Sequence, residues 1–459
     1  MKKGTKRAVA ATKSVANVKT KYNEAFNKGY NRGYDLAHDD AYQSGWHAGA
    51  SSLVQPFQGT SIIIVTTNDQ RMHLQNCIES IYQHTPEPFE IIVIDNASSD
   101  DTAEYLKSLT GKIRYRVFEK NLGFAGGTNQ GLKLARGKTL LFLNNDTIVT
   151  QNWLTNMLAC LYSNEKFGLV GPMTNYISGD QLLETNYTST EEMHRFAEAF
   201  NQSNPGKWQT TGRLTGFCVL MRREVFNRLG YLDEGFEIGN CEDDDFGFRT
   251  RLMGLELVIA KDTFIHHVGS VSIKALGERF EEVYGKNLDF YSKKWGDTHN
   301  LFSQVQSMLD GASVSMNDFY PTHMVVRGVT PQLYWIENGI RHPISDDSGL
   351  ASSRVSQVDL RGWQMGMPIT GQEVQLKLEE LGRQERLNEQ LPEGKLLIDQ
   401  EGGIYQVKSG KLHRFVGDLA LTYWNLALRQ KAPVRRGTLQ RNAHGLPIIA
   451  PAVIVANNV

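Results

Sequence analysis

The sequence predicts an α/β fold: a mostly parallel, doubly wound sheet, preceded by a helix and followed by a small β-rich module. Three observations predict it. Apolar runs of strand length alternate with helical patterns from Gly59 to about Trp295. Those runs are apolar throughout, as strands covered on both faces are. From about Ser315 the pattern changes to short β runs broken by Asn-Gly or Ser-Gly, which signals hairpins.

The elements follow in order. "SIIIVTT" reads as a buried strand, and "RMHLQNCIESIYQH" as a helix with Met72, Leu74, Ile78 and Ile81 on its apolar side. "FEIIVIDN" is a second strand, "DDTAEYLKSL" a helix and "IRYRVFEK" a strand. "GTNQGLKLAR" is a helix, "KTLLFLNND" a strand and "QNWLTNMLACLYS" a helix. Ligands of such sheets sit beyond the carboxyl ends of the strands. That rule selects Thr66, Thr67 and Asn68, then Asp95 and Asn96, then Asn144, Asn145 and Asp146.

Outside this region the chain divides further. Residues 1–22 form a basic arm, too diluted by Lys, Thr and Ser for a secretory signal; a disordered arm is expected. Residues 23–52 repeat small and aromatic residues every four positions, as in Gly29-Tyr30, Gly33-Tyr34 and Gly45-Trp46. On a helix they form stripes that drift about 40° per repeat. Each glycine costs roughly 1 kcal/mol there, so close packing must offset it. The helix packs either on its own domain or on a second copy, making a homo-oligomer. Residues 53–314 form the main domain and 315–459 the β-rich module. In the module "QLYWIENGIRHPI" and "GIYQVKSGKLHRF" align as two hairpin copies, joined by the helical "GQEVQLKLEELGRQERLNEQ". His342 and His413 read as surface residues beside turns. "GLPIIAPAVIVANNV" is proline-broken and reads as an edge strand or docking tail.

Bulk properties narrow the function. The 459 residues suit two or three domains, with 40% hydrophobic and 22% charged residues. A formal net charge of -1 argues against nucleic-acid binding. The four cysteines, Cys77, Cys160, Cys218 and Cys241, form no CxxC, so neither a zinc site nor a disulfide framework is expected, and a reducing cytoplasm fits. No apolar run reaches the ~20 residues that span a bilayer, so membrane contact is expected to be peripheral at most.

Seven segments then appear in one order: "SIIIVTTND", "EIIVIDNASSDDT", "NLGFAGGTNQG", "LLFLNNDT", "TGFCVLMRREVF", "GYLDEGFEIGNCEDDDFGFRTRLMGLEL" and "FIHHVGSVS". Together they resemble the inverting family 2 glycosyltransferases of GT-A fold, especially the rhamnosyltransferase-like branch, over roughly Gly59 to Gly296. The resemblance implies that Asp95 accepts the imide N–H of a uracil or thymine. Asn121, Gly123 and Asn129 match the glycine-rich donor loop, whose backbone N–H groups and helix N-terminus favour phosphate; Gly127 stands where alanine is more usual. "LNNDT" is the metal motif in a one-acid form. Asp146 would bind Mg2+ or Mn2+ with the diphosphate supplying oxygens, as hard cations accept. Asn144 and Asn145 would bind sugar hydroxyls or cap the turn, and Gly216 and Phe217 would lie on the acceptor side. Asp243 would be the base, with Glu242 and Asp245 positioning acceptor or helix and Arg249 pairing with the acids; crowding raises a carboxylate toward a base's pKa. His266 is the better positional match for a metal or diphosphate ligand, with His267 in reserve.

The resemblance implies a single displacement: a sugar moves from a dTDP-rhamnose or UDP-hexose type donor to a hydroxyl of a glycan or glycoprotein, with inversion. The resemblance places this in bacterial cell-surface polysaccharide assembly, in the cytoplasm or at the inner face of the membrane. Two other classes of function fit the sequence less well. A non-catalytic glycan-binding or scaffold protein need not keep Asp95, Asp146, Asp243 and His266 together. A sugar nucleotidyltransferase would want a glycine-rich loop bearing arginine or lysine after the first strand, which "VTTNDQR" lacks.

Overall fold

The computed structural model describes residues 57–67, 70–269, 277, 279–309, 311–346, 349–383 and 391–455. The basic arm, the tetrad-repeat helix with its oligomerisation reading, and Asn68 lie outside the described residues. So do residues 384–390 of the linking helix.

The main domain runs β1 (Phe57–Thr66), α1 (Arg71–His84), β2 (Phe89–Asn96), α2 (Thr102–Ser108), β3 (Arg114–Phe118), α3 (Gly123–Leu134), β4 (Gly137–Asn144) and β5 (Thr147–Ile148). It continues through α4 (Trp153–Ser163), β6 (Phe167–Thr174), α5 (Thr190–Phe200), β7 (Trp208–Thr211), β8 (Cys218–Arg222) and α6 (Arg223–Leu229). The last elements are α7 (Glu242–Leu252), β9 (Glu256–His267), α8 (Arg279–Trp295) and α9 (Thr298–Leu309). The sheet order is β3-β2-β1-β4-β8-β6-β9-β5, with β7 also on β9. The first four strands are mutually parallel, while β8 runs antiparallel to both β4 and β6. The chain steps outward from β1 to β2 and β3, then returns to the other side of β1 as β4. That reversal opens a crevice at the carboxyl ends of β1 and β4, where such sheets take ligands.

The strands form because their β-branched and aliphatic residues are covered on both faces. Ile62, Ile64, Ile91, Val93, Leu141 and Leu143 are buried with Trp153 in one cluster. Helix α3 lies unusually close to β1, through glycines one turn apart. A Cβ on Gly127 would stand 2.7 Å from Val65 Cγ1, and one on Gly131 would overlap Ile63 Cγ2. Glycine thus replaces the more usual alanine at 127 because β-branched Val65 fills that space. Gly131→Ala is expected to destabilise the domain by about 1–3 kcal/mol through overpacking, read as a lower midpoint in urea.

The C-terminal part has two small sheets. The first contains β10 (Met324–Arg327), β11 (Leu333–Glu337), β12 (Ile340–Pro343), β13 (Ser353–Arg354) and β14 (Gln364–Met365), with α10 (Gln357–Gly362) before β14. Helix α11 (Gly371–Gly382) leads to the second. It holds β15 (Leu396–Ile398), β16 (Ile404–Lys408), β17 (Lys411–Arg414) and β18 (Ala432–Pro433), with α12 (Ala420–Tyr423) and α13 (Arg436–Arg441). Both hairpins turn on left-handed pairs, Asn338-Gly339 and Ser409-Gly410, the conformation of a type I′ turn.

The repeat is longer than the hairpin. In each copy a third strand joins antiparallel and a fourth parallel: β10 and β13 in one, β15 and β18 in the other. Matching bridges, Ile344 to Ile369 and Phe415 to Ile448, close the two units. His342 and His413 occupy equivalent places, each pressed on a glycine, Gly366 and Gly445. His413 is therefore not a surface residue: it is buried, and its Nδ1 lies 2.7 Å from the Leu446 carbonyl. The end of the chain docks on the main domain. Glu234 N–H donates to the Val453 carbonyl at 2.9 Å, Val453 N–H to Asp233 Oδ1 at 3.0 Å, and Val455 N–H to Glu234 Oε2 at 2.7 Å.

Candidate active site

A cleft of about 1020 Å³, partly continuous with solvent, opens at the β1/β4 reversal. Thr66 and Thr67 from the end of β1 line it, with Asn96, Asn121, Asn144, Asn145, Asp146, Gly216, Phe217, Glu242 and Asp243. The crevice therefore gathers most of the residues singled out in the sequence, and the remaining described ones are placed differently.

Asp95 is fully buried behind the cleft. Its Oδ1 accepts the Ser98 N–H at 2.9 Å, while Oδ2 is buried with no hydrogen-bond partner among the described residues. Asn96 is committed to the loop before α3: its Nδ2 donates to Asn121 Oδ1 and the Gly123 carbonyl, and its Oδ1 accepts the Leu122 N–H. Gly123 needs its positive φ of 72° because Phe124 N–H turns to the Ile238 carbonyl. Asn129 does not reach the cleft. It is buried, bonding both backbone groups of Leu232 and Glu234 Oε1. Asn145 ties strand ends together, donating to Thr66 Oγ1 at 2.9 Å and Gln70 Oε1. Asn144 lines the cleft.

The histidine assignment is corrected. Successive strand residues face opposite sides, and the pairing of β5 with β9 sets which one faces Asp146. His267 Nε2 lies 3.1 Å from Asp146 Oδ1. His266 points away, with Nδ1 2.7 Å from the Tyr187 hydroxyl. The Tyr176 carbonyl, 2.7 Å from His267 Nδ1, accepts a hydrogen bond from that nitrogen's N–H. In the neutral ring the Nε2 lone pair then faces a carboxylate oxygen. Two donors aimed at each other suit a cation between them, and a carbonyl behind the ring is the usual support of a metal-binding histidine. Phe217 stacks on the same ring, centroids 5.5 Å apart. Among the described residues no group of three His, Cys, Asp or Glu could hold a metal. The pair fits a divalent ion whose other oxygens come from a diphosphate. His267→Ala is expected to raise the Mn2+ concentration for half-maximal binding, with nucleoside diphosphate present, by ~10-fold or more. His266→Ala should leave it unchanged; calorimetric titration reads both.

The acids at the start of α7 divide into two groups. Asp243 is half-buried in the cleft. Its Oδ2 accepts the Gly216 N–H and its Oδ1 the Asp244 N–H, both at 2.9 Å. Burial and the neighbouring Asp244 raise it from the ordinary carboxylate value to about 6. Glu242 is buried with Oε2 unpartnered, and burial followed by Asp243 pushes its pKa well above the usual range. Asp245 and Arg249, by contrast, stand outside the cleft. One helical turn apart, they pair at 2.8 Å in the interior. Lys294 Nζ reaches Asp245 Oδ1 at 2.6 Å and Asp233 Oδ2 at 2.5 Å, and the Trp295 indole donates to Asp245. Burial alone would raise Asp245, but Lys294 and Arg249 hold it below the usual value. These two residues anchor the helix rather than touch a ligand.

Further residues carry the site without a signal in the sequence. Ile238, Asn240 and Cys241 have φ of 60°, 81° and 71°, and the first two line the cleft with Gly239. A β-branched residue at positive φ is strained. Buried Asn287 of α8 holds this loop: its Oδ1 accepts the Glu237 N–H, and its Nδ2 faces the carbonyls of Glu237, Gly239 and Asn240 at 2.9–3.1 Å.

Residues 61–230 match the family described as glycosyl transferase family 2. Residues 61–230 are thus similar to the family 2 glycosyltransferases. The strand order above fits the α/β fold of the GT-A class. Among relatives, it is 27% identical to polypeptide N-acetylgalactosaminyltransferase 11 of Xenopus tropicalis, over 45% of this chain and 38% of that protein. It is 21% identical to the putative glycosyltransferase EpsH of Bacillus subtilis, over 57% and 74%. It is 28% identical to the O-antigen biosynthesis protein RfbC of Myxococcus xanthus, over 48% and 18%. The chain thus spans about two fifths of the length of the animal transferases it matches. Among solved structures, GalNAc-T7 with UDP, GalNAc and Mn2+ aligns with a TM-score of 0.40 at 18% identity, covering 56% of this chain and 52% of that one. The mannosyltransferase PcManGT of Pyrobaculum calidifontis aligns at 0.38 and 16%, covering 60% and 79%. In this chain's main domain the ends of β1 and β4 line the cleft, and the start of α7 adds Glu242 and Asp243 to its lining.

Proposed function

We propose that the chain is an inverting glycosyltransferase that moves a sugar from a nucleoside-diphosphate sugar, dTDP-rhamnose or a UDP-hexose, to a hydroxyl of a glycan or glycoprotein. The observation that carries this is the placement of Asp243. It is oriented by two backbone N–H groups and faces the same cleft as the Asp146–His267 pair and the ends of β1 and β4.

Asp243 takes the proton of the acceptor hydroxyl. The acceptor oxygen forms a bond to the anomeric carbon as the bond from that carbon to the diphosphate oxygen breaks on the opposite face. The electron pair leaves with the nucleoside diphosphate, and configuration inverts. Gly216 and Asp244 N–H groups hold the carboxylate for this transfer, and Gly216 leaves room for it: a Cβ there would stand 3.2 Å from Asp243 Cβ. Asn144 and the 238–240 loop would contact the sugar. Asp146 and His267 would hold a divalent ion, Mg2+ or Mn2+, which neutralises charge on a departing diphosphate.

The test is a screen of UDP-, dTDP- and GDP-sugars for metal-dependent nucleotide release by wild type, Asp146→Ala and Asp243→Asn. Release from one donor class, lost in both variants, is expected. If no donor binds or turns over, or if both variants match wild type, the reading is wrong. The same reading places the chain in cell-surface glycan assembly at the cytoplasmic side of a membrane. Among the described residues no helix is long and apolar enough to cross one.

A further inference from the structure

A second cavity, of about 850 Å³, adjoins the first across the start of α7. Asn240, Glu242 and Asp243 face the main cleft, whereas Cys241 and Asp244 line the second cavity. On its lining Arg213 Nε pairs with Asp244 Oδ1 at 2.5 Å, and Arg213 is further held by Ser178. That arginine is neutralised.

Arg251, on the next turns of α7, is not. Among the described residues it has no carboxylate within ion-pair distance. Its Nη1 makes one long bond, 3.4 Å, to the Gly212 carbonyl, and its guanidinium lies 4.1 Å from the centre of the Phe302 ring. It is half-buried, and the loss of water lowers its pKa from the usual arginine value. A half-desolvated guanidinium without an acid retains donors for an anion, and its fork matches phosphate and carboxylate. Tyr291, Phe248 and Phe302 give the cavity aromatic walls, and exposed His299 stands at its edge. Flat apolar walls beside one uncompensated cation suit a sugar ring that bears an anionic group.

We propose that this cavity is an acceptor subsite for a sugar unit carrying a phosphate or carboxylate, recognised by Arg251, while a neighbouring unit presents its hydroxyl to Asp243. The assignment rests on the glycosyltransferase reading for its role. Its binding chemistry is tested without donor.

The full chain, with no nucleotide sugar present, is titrated by calorimetry and saturation-transfer NMR. The probes are glucose 6-phosphate, glucuronate and neutral methyl glucoside, with inorganic phosphate beside them. At least one anionic sugar is expected to bind ~10-fold or more tightly than the neutral one, and more tightly than phosphate alone. Which of the two binds distinguishes a phosphorylated acceptor from an acidic sugar. Arg251→Gln should reduce that binding to the neutral level, and Arg251→Lys should fall between. Unchanged melting temperatures establish that both variants fold. Equal affinity for all three sugars overturns the subsite, as does anionic binding indifferent to Arg251→Gln. Loss of donor turnover in the nucleotide-release screen bears on the enzyme reading alone, so the two failures are separable.

Discussion

Asp243→Asn is expected to lower turnover by about 10²–10⁴-fold, the usual worth of a general base, with donor affinity unchanged. The amide keeps the shape of the side chain and one oxygen for the Gly216 or Asp244 N–H, so the cleft stays intact. The pH profile gives a second readout. The group must be ionised to accept a proton, and burial with Asp244 raises it to about 6. Wild-type kcat/KM therefore rises through pH 6 to a plateau above it and is lost as pH falls below. That acid limb should vanish in the residual activity of Asp243→Asn. A limb near pH 4, or one that persists in the variant, would move the base to another residue.

Lys294→Met should destabilise the domain strongly, by about 3–5 kcal/mol. Lys294 is buried and neutralises two buried carboxylates, Asp233 and Asp245, at 2.5 and 2.6 Å. Its loss leaves the two acids sharing Arg249, and burial already raises Asp233. Unfolding in urea measures the effect. Lys293→Ala, the adjacent residue, removes only an exposed pair with Asp289 and should not move the midpoint. Because Asp245 sits in the first turn of α7, Lys294→Met is also expected to misplace Asp243 and lower kcat in the folded fraction.

The residues at strand ends were legible because two local signals coincide there: an apolar run long enough for a strand, and an abrupt polar end. Thr66, Thr67 and Asn144 to Asp146 reach the cleft for that reason. What was not legible depends on parity or on distant partners. His266 and His267 are adjacent, so only the pairing of Ile148 with His266 and Thr147 with His267 decides which side each takes. The acids of "CEDDDFGFR" look alike as a run. Helical geometry separates them, turning Asp243 to the cleft and Asp245 inward to Lys294, 49 residues away. Asn129 matched a pattern for the donor loop but serves as the bolt between α3 and Leu232. Asn287 gave no signal, since an asparagine that bonds only to distant backbone has no local signature. The hairpin repeat was visible in its Gly and His positions, whereas its parallel fourth strands are only two residues long and carry no periodicity.

The clip of Val453 and Val455 onto Asp233 and Glu234 has a consequence for biosynthesis. The partners lie 220 and 221 residues apart, and Glu234 in turn holds Asn129 of α3. A ribosome that has released the whole parallel sheet has still not delivered the segment that fastens Glu234 and, through it, α3. Closing so long a loop from a free coil would cost about 5 kcal/mol of chain entropy, and the two small repeat sheets shorten that search by folding in between. The contact of Glu234 with α3 is thus secured only after the C-terminal repeat has been made. A nascent chain halted before residue 451 should carry every acid of the cleft and yet hold its donor loosely.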